Sequence, residues 1–221
     1  MPPGVLGRTN RAFPPVWLAL GVPDAPEETD ALLEVAQAAD VPLDITASPA
    51  FWGGKMRGSE RFFSVVGPSH HELATDHAHA IDLTQAHLIE TLSAIGREWI
   101  DLYWLRVRRP LEEFQIDGAL EALESARGDG HIRFLGLACD GPGLSTLSVW
   151  QFHDAFELLS IPRSEDAGGD EAFNTLSSLA SERRVGVLHR TDSAQRFNER
   201  PVLVSVRSAT AAQKALESGR S

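Results

Sequence analysis

Three residue types that often carry structure or chemistry are scarce in this sequence. Its 221 residues include one cysteine, Cys139, one tyrosine, Tyr103, and two lysines, Lys55 and Lys214. A single cysteine excludes an intrachain disulfide and makes the cytoplasm the expected compartment. With only two lysines, there are few candidates for chemistry that needs an ammonium group.

Long apolar runs are missing as well. No stretch of about 18 apolar residues could span a bilayer, and the first residues have no apolar core of a secretion signal. The formal net charge is −11, which repels nucleic acid and anionic membranes from the molecule as a whole. We therefore expect no nucleic acid and no membrane as partner. A local site for a small anion stays open.

The sequence alternates short, apolar, β-branched runs with segments of helical periodicity. This alternation is typical of βα units around a parallel sheet. Because the runs are apolar nearly throughout, we expect strands that are buried on both faces. Eight strands are predicted, at residues 16–22, 42–46, 62–67, 100–107, 132–139, 156–161, 185–190 and 202–207. The predicted fold is an α/β protein, a compact (β/α)₈ TIM barrel, in one domain over residues 1–221.

Helices are predicted between most of these strands, at residues 27–40, 81–95, 111–127, 141–153, 171–184 and 208–218. Two connections, residues 51–61 and 191–201, are too short for the dozen or more residues of a parallel crossover. The second and seventh βα units are therefore expected to be trimmed to a partial turn or loop.

One stretch in the middle of the chain resembles the aldo-keto reductase family. There, a strand beginning Asp-Leu-Tyr is followed by a long helix and a Gly-x-Ile-Arg strand entry. The matching residues are Ile100, Asp101, Leu102, Tyr103, Gly130, Ile132, Arg133 and Gly136. The opening VLGRTNRAF is similar to the hairpin that plugs the barrel floor in that family. The resemblance thus implies that residues 1–15 form an N-terminal hairpin or cap.

The resemblance implies a site for hydride transfer from NADPH to a carbonyl, but several positions depart from the family pattern. The family uses a tyrosine as general acid, tuned by a lysine and an aspartate, and a histidine that orients the substrate. Asp44 matches the aspartate, whereas Arg106 stands at the histidine position. No tyrosine occurs near residues 49–51, and no lysine occurs at the end of the third strand, residues 67–70. Arg207 and Ser208 resemble the family's turn that binds a cofactor phosphate, or another anion, at a helix N-terminus.

Active sites of such barrels lie at the C-terminal ends of the strands. The catalytic candidates there are Asp44, Arg106 and His70. Asp44 and Arg106 are predicted to pair, the carboxylate serving as a base or orienting the guanidinium toward an anionic ligand. The alternative is a structural ion pair. His70 is a candidate acid or base.

Substrate contacts are predicted at Ser69, Trp52, Asp140 and His189, with core packing as the alternative for the indole and the imidazole. A metal site is not predicted, because the spacing of the four histidines at positions 70, 71, 77 and 79 matches no zinc signature.

Three hypotheses for function stay open. The first is non-redox acid–base chemistry, such as elimination, isomerisation or cyclisation of the lyase or isomerase type, or binding of a small anionic or polar metabolite. The second is an NADPH-dependent oxidoreductase with substituted catalytic residues, for which NADP is the cofactor that the resemblance implies. The third is a pseudoenzyme with a regulatory or interaction role. The first two require a small-molecule ligand.

Overall fold

Eight parallel strands close into a barrel in the computed structural model, which describes residues 4–162, 171–191 and 201–220. The strands are β3 (Val16–Leu20), β4 (Leu43–Asp44), β5 (Phe63–Val66), β6 (Ile100–Val107), β7 (Ile132–Cys139), β8 (Leu158–Pro162), β9 (Gly186–Thr191) and β10 (Val202–Val206). Neighbours in the sheet follow chain order, and β10 pairs with β3 to close the cylinder. The predicted (β/α)₈ TIM barrel is therefore confirmed.

Seven helices of the described chain surround the barrel. They are α1 (Pro26–Ala39), α2 (Pro49–Lys55), α3 (His77–Ile95), α4 (Glu113–Gly128), α5 (Gly143–Phe152), α6 (Glu171–Glu182) and α7 (Ala209–Arg220). Helix α2 has seven residues, whereas a partial turn or loop was expected in the second connection. Most of the seventh connection, residues 192–200, lies outside the described residues.

Local chemistry explains where α3 begins. The Asp76 side chain accepts a hydrogen bond from the backbone N–H of His79, 2.9 Å away, and so caps the helix. As a result α3 starts four residues before the predicted position, and His77 and His79 lie in its first turn. At the other end, Gly96 takes a left-handed conformation with φ of 66° and stops the helix.

Strand β4 is shorter than predicted, for a reason visible in its last residue. The backbone N–H of Thr46 donates to Oδ1 of Asp44 over 3.1 Å, which folds the chain into a turn immediately after the strand. The N–H of Ser48 then bonds the carbonyl of Ile45. This turn fixes the height at which the Asp44 carboxyl sits in the barrel.

The core has an outer and an inner layer because side chains alternate along each strand. Outward-facing residues such as Leu18, Leu105 and Leu137 pack against the helices. Inward-facing residues fill the cylinder, among them Trp17, Phe62, Leu102, Trp104, Leu188 and Leu203. The indole of Trp104 lies against Gly136, where any Cβ would overlap the ring. The barrel is thus a packed core, as such barrels are.

The N-terminal ends of the strands, here called the floor, are covered by the first described residues. A hairpin of β1 (Gly4–Val5) and β2 (Ala12–Phe13) brings Leu6 and Phe13 into the inner layer. Gly7, with φ of 56°, lies so close to the backbone of Gly186 that a side chain would overlap it. No helix in the described part of the chain is long and apolar enough to cross a membrane.

Candidate functional site at the mouth of the barrel

The C-terminal ends of the strands, here called the mouth, hold a buried carboxyl at Asp44. Only 4% of this residue is exposed. Its Oδ2 accepts a hydrogen bond from Oγ of Ser64 over 2.7 Å. Burial raises the pKa of the Asp44 carboxyl, while hydrogen bonds from Ser64 and Thr46 and the charge of Arg190 act in the opposite direction. The site therefore favours a protonated carboxyl more than water does.

Arg106 does not pair with Asp44, so the predicted pair is wrong. Nε of Arg106 lies instead 3.0 Å from Oδ2 of Asp140. The reason is the order of the strands. Arg106 stands beside Ala138 on the neighbouring strand β7, which leads directly to Asp140. Asp44 lies on β4, beyond β5, and its oxygens are already used by Ser64 and Thr46.

Asp140 is shared by a second guanidinium, that of Arg190 on β9. Nη1 of Arg190 donates to Oδ1 of Asp140, and Nη2 donates to the carbonyl of Cys139. The sequence analysis did not include Arg190 among the site residues. The alternation of side chains in β9 could have indicated its place, because it puts Arg190 on the same inward face as Leu188. Two cations thus hold one carboxylate across the mouth.

Three hydrogen-bond donors at the mouth have no acceptor within the described part of the chain. Nε of Arg106, Nε of Arg190 and Oγ of Ser160 are all buried and make no hydrogen bond to any described residue. Nε of Arg106 lies 3.0 Å from Asp140 in an ion pair, but the orientation of the two groups does not allow a hydrogen bond. Ser160 is next to Ala138 in register, and Ala138 is next to Arg106. Each unsatisfied buried donor costs about 1–3 kcal/mol.

His70 and Ser69 lie at the end of the third barrel strand. His70 is exposed and begins a 3₁₀ turn, His70–Leu73. Its ring stands edge-on to that of His87, with the centroids 6.4 Å apart. Ser69 is buried, and its carbonyl accepts the N–H of Glu72 over 3.0 Å. Within the described part of the chain, His70 forms no ion pair with Asp140, whose partners are Arg106 and Arg190.

Trp52 and His189 do not face the mouth, which corrects the prediction that they line a substrate pocket. The Trp52 indole is fully buried in the outer core layer, and its Nε1 donates to the carbonyl of Leu20 over 3.0 Å. His189 follows the inward-facing Leu188, so alternation turns it to the outer face of β9. Both positions follow from packing and pleat.

The turn at Arg207 and Ser208 leads from β10 into α7. Oγ of Ser208 accepts the N–H of Ala211 over 3.2 Å and so caps the helix within the chain itself. The side chain of Arg207 is exposed and lies over Gly21, where a Cβ would collide with its stem. The Arg207 guanidinium is therefore the group at this turn that is open to an anion.

The tyrosine and the two lysines of the chain lie elsewhere. Tyr103 faces the outer layer, where its hydroxyl lies 2.7 Å from Nδ1 of His87. Burial raises the pKa of Tyr103 and lowers that of His87 to about 4, so this pair is neutral near pH 7. Lys55 pairs with Asp30 on the surface at 3.1 Å, and Lys214 is exposed on α7.

The described part of the chain has cavities outside the mouth. One of about 660 Å³ lies at the floor, lined by residues that include Arg11, Phe13, Asp40 and Arg61. Another of about 590 Å³ lies between α4 and the start of α3, beside His77 and Glu121. Among the residues that the structure describes, no three His, Cys, Asp or Glu side chains are placed to hold a metal ion.

Comparison with known proteins identifies the fold. No protein-family model and no curated protein matches the sequence. Among solved structures, the chain is similar to an aldo-keto reductase from Bacillus halodurans in its holo form, with 13% identity and a TM-score of 0.73, over 100% of this chain and 91% of that one. A second match is an aldo-keto reductase from Brucella melitensis, with 10% identity, a TM-score of 0.73, and coverage of 98% and 93%.

A third match is an aldo-keto reductase from Klebsiella pneumoniae in complex with NADPH, with 12% identity, a TM-score of 0.74, and coverage of 100% and 90%. These likenesses extend over essentially the whole chain. With its eight parallel strands closed in chain order, the chain has the barrel fold of the aldo-keto reductases.

Proposed function

We propose that this protein is an NADPH-dependent oxidoreductase in which other side chains replace the tyrosine and lysine of the aldo-keto reductases. The observation that carries the proposal is the likeness over the whole chain to solved aldo-keto reductases, one of them bound to NADPH. That likeness favours redox chemistry over the elimination, isomerisation or cyclisation that the sequence analysis placed first.

The residues at the mouth are compatible with this cofactor. Oγ of Ser160 is a buried hydroxyl without an acceptor among the described residues, and a carboxamide oxygen would provide one. The exposed Arg207 guanidinium lies at the start of α7, where a phosphate is favoured by both the side chain and the helix terminus. When bound, NADPH supplies a hydride.

Asp44 is the proton donor in this proposal. Its burial raises its pKa, and a general acid must carry its proton near the working pH. Ser64 orients the carboxyl through its 2.7 Å hydrogen bond to Oδ2. Arg106 and Arg190 provide positive charge at the mouth, which favours negative charge that develops on a substrate oxygen.

A second candidate is non-redox acid–base chemistry at the same carboxyl. It is favoured by the positions of the tyrosine and the two lysines. Tyr103 contacts His87 in the outer layer, and Lys55 and Lys214 are exposed on α2 and α7. In this case Asp44 takes and returns a proton, and Arg106 holds the substrate.

Binding of NADPH separates the two candidates. The five tryptophans include Trp17 and Trp104 inside the barrel, so NADPH seated at the mouth is expected to quench their emission. We expect saturation below about 1 mM, within the usual range of substrate constants. Arg207→Gln should weaken binding, whereas Arg11→Gln, the same charge change at the floor, should not. No quenching at that concentration would contradict the redox function and leave the second candidate.

Activity provides the next test. With NADPH and a panel of aldehydes and ketones, we expect Asp44→Asn to lower kcat by about 10²-fold or more, as loss of a general acid does. The variant should still quench with NADPH, because the carboxamide that replaces the carboxyl keeps the shape of the site. Equal kcat in both proteins would exclude Asp44 as the proton donor.

A further inference from the structure

We infer that the mouth recognises its substrate through a carboxylate or phosphate group, which replaces the Asp140 side chain between Arg106 and Arg190. The inference rests on the proposed function only in taking the mouth as the active site, and it does not require that NADPH binds. It names a substrate class and the two arginines that select it.

The first support is the balance of charge. Arg106 and Arg190 both face the single carboxylate of Asp140. The pKa of Asp44, a buried acid at the mouth, is raised by burial. Two guanidiniums that share one carboxylate retain uncompensated positive charge. In a protein whose net charge is −11, such a local excess selects for an anion.

The second support is the set of unused donors. Nε of Arg106 and Nε of Arg190 are buried without acceptors among the described residues. A carboxylate has about four lone-pair sites and a phosphate has more. Either group can accept from guanidinium Nε atoms as well as from the terminal nitrogens, and bidentate contacts of this kind are strong and specific. The Asp140 carboxylate leaves these donors unused.

The third support is the freedom of Asp140 to leave. Asp140 directly follows the last residue of β7, and its backbone N–H donates a hydrogen bond to the carbonyl of Val107 over 2.9 Å. Its side chain is 20% exposed and forms ion pairs with the two guanidiniums. Rotation of this one side chain would take it into solvent and open the place between the arginines without moving the backbone.

Arg190 remains in place when Asp140 rotates away. Its Nη2 donates to the carbonyl of Cys139, which anchors the guanidinium to β7. Asp140 is thus an internal anion that competes with the substrate. This arrangement makes a prediction with an unusual sign, because removal of the Asp140 charge should tighten the binding of external anions.

The test uses calorimetric titration of the full chain without NADPH, in a buffer free of phosphate. The probes are pyruvate, its neutral isostere pyruvamide, and inorganic phosphate. We expect pyruvate or phosphate to bind at least about tenfold more tightly than pyruvamide, as hydrogen bonds to a charged acceptor imply. The tighter of the two anions identifies the group that the site prefers.

Variants test the residues. Arg190→Gln should reduce the preference for the anion by about tenfold or more, and Arg190→Lys should keep part of it because the charge remains without the bidentate geometry. Arg11→Gln, at the floor, should bind the anions like the wild type. Asp140→Asn should bind them at least about threefold more tightly, a modest effect for removing a competing charge.

Thermal unfolding of each variant shows whether it is folded before binding is measured. If Arg190→Gln does not fold, Arg190→Lys and Asp140→Asn still test the inference. The inference is overturned if pyruvate and pyruvamide bind equally, or if Asp140→Asn weakens anion binding. It is also overturned if neither anion binds up to about 10 mM, which corresponds to about 2.7 kcal/mol of binding free energy. Failure of NADPH to bind would not affect these results.

Discussion

Two carboxylates at opposite ends of this barrel, Asp101 at the floor and Asp140 at the mouth, differ in how their partners are satisfied. At the floor, the Asp101 carboxylate accepts the N–H of Phe63 over 3.1 Å and a guanidinium hydrogen of Arg133 over 2.8 Å. Glu157 likewise holds the N–H of Leu135 and the guanidinium of Arg127, both over 2.8 Å. At the mouth, one carboxylate serves two arginines whose Nε atoms have no acceptor in the described chain.

This difference indicates that the charged residues of the floor stabilise the fold. Floor carboxylates join strands by bonding a backbone N–H and a neighbouring cation at once, which satisfies every charge that burial would otherwise penalise. The buried indole N–H groups of Trp17 and Trp104 have no acceptor among the described residues either, but they are neutral and enclosed by the apolar inner layer. The mouth leaves charged donors unsatisfied, a cost that is typical of sites with a binding role.

The largest expected effect is at the floor. Asp101 is 3% exposed, and Arg97, whose side chain is 8% exposed, lies 3.6 Å from it. Asp101→Ala should lower the free energy of unfolding by about 3–5 kcal/mol, because it leaves a buried guanidinium unpaired. Urea denaturation measures the change. A loss below about 1 kcal/mol would show that the floor is no more than a set of surface ion pairs.

The second effect is a pH dependence on the mouth side. The pKa of His71 is lowered from 6.5 to about 4. Burial is the main cause, the charges of Arg109, His70 and Arg108 act in the same direction, and a hydrogen bond to the backbone of Arg106 opposes them. Between these two values the unfolded chain binds a proton that the folded protein does not. Stability is therefore complete above about pH 6.5 and falls as the pH drops toward 4, by a maximum on the order of 3 kcal/mol.

The measurement for His71 is urea denaturation at a series of pH values, for the wild type and for His71→Gln. The variant should lose this part of the pH dependence, because an amide does not titrate. The exposed His131, which lies 2.9 Å from the carbonyl of Glu98 at the floor, offers His131→Gln as a matched control that should keep it. Equal slopes in the wild type and His71→Gln would contradict the prediction.

The third effect has opposite signs at two buried serines, Ser160 and Ser64. Ser160→Ala removes a buried hydroxyl that has no partner among the described residues, so it should raise the free energy of unfolding by about 1 kcal/mol. Ser64→Ala removes the donor to Asp44 and should lower that free energy by about 1–3 kcal/mol. Thermal denaturation compares the two. Destabilisation by both would show that Ser160 is satisfied in the folded protein.

The smallest effect sets the baseline for the others. Lys55 and Asp30 form an exposed ion pair between α2 and α1, with side chains 41% and 77% exposed. Lys55→Ala should change the free energy of unfolding by no more than about 0.5 kcal/mol. A larger change, measured in the same urea series, would show that surface charge contributes more here than the comparison of floor and mouth assumes.

Much of the fold could be predicted because the local pattern and the tertiary structure agree. Strands β6 and β7 have the predicted bounds, since their apolar runs are long and lie between clear helix ends. The second connection was predicted to be a partial turn or loop over residues 51–61. It forms the seven-residue α2 because β4 ends at Asp44 and β5 begins only at Phe63, which leaves more residues between the strands. Errors are concentrated at ends that side chains decide, such as the Asp76 cap of α3.

The site was harder to predict than the fold. Periodicity places Asp44, Arg106 and Arg190 near the mouth, but it does not say which of them meet. Asp44 and Arg106 lie on strands that are separated by β5. Arg106 pairs in register with Ala138 on the adjacent strand β7, two residues before Asp140. For the same reason Trp52, close in sequence to the turn after β4, ends in the outer core layer.

By itself, the sequence determined the alternation of strands and helices, the closed barrel and the near absence of tyrosine and lysine, since these depend on composition and local periodicity. Only the tertiary structure decided that Asp140 lies between two arginines and that Ser160 has no acceptor in the described chain. Those contacts join residues from different strands, and their distances depend on how the barrel closes, which no local pattern in the chain encodes.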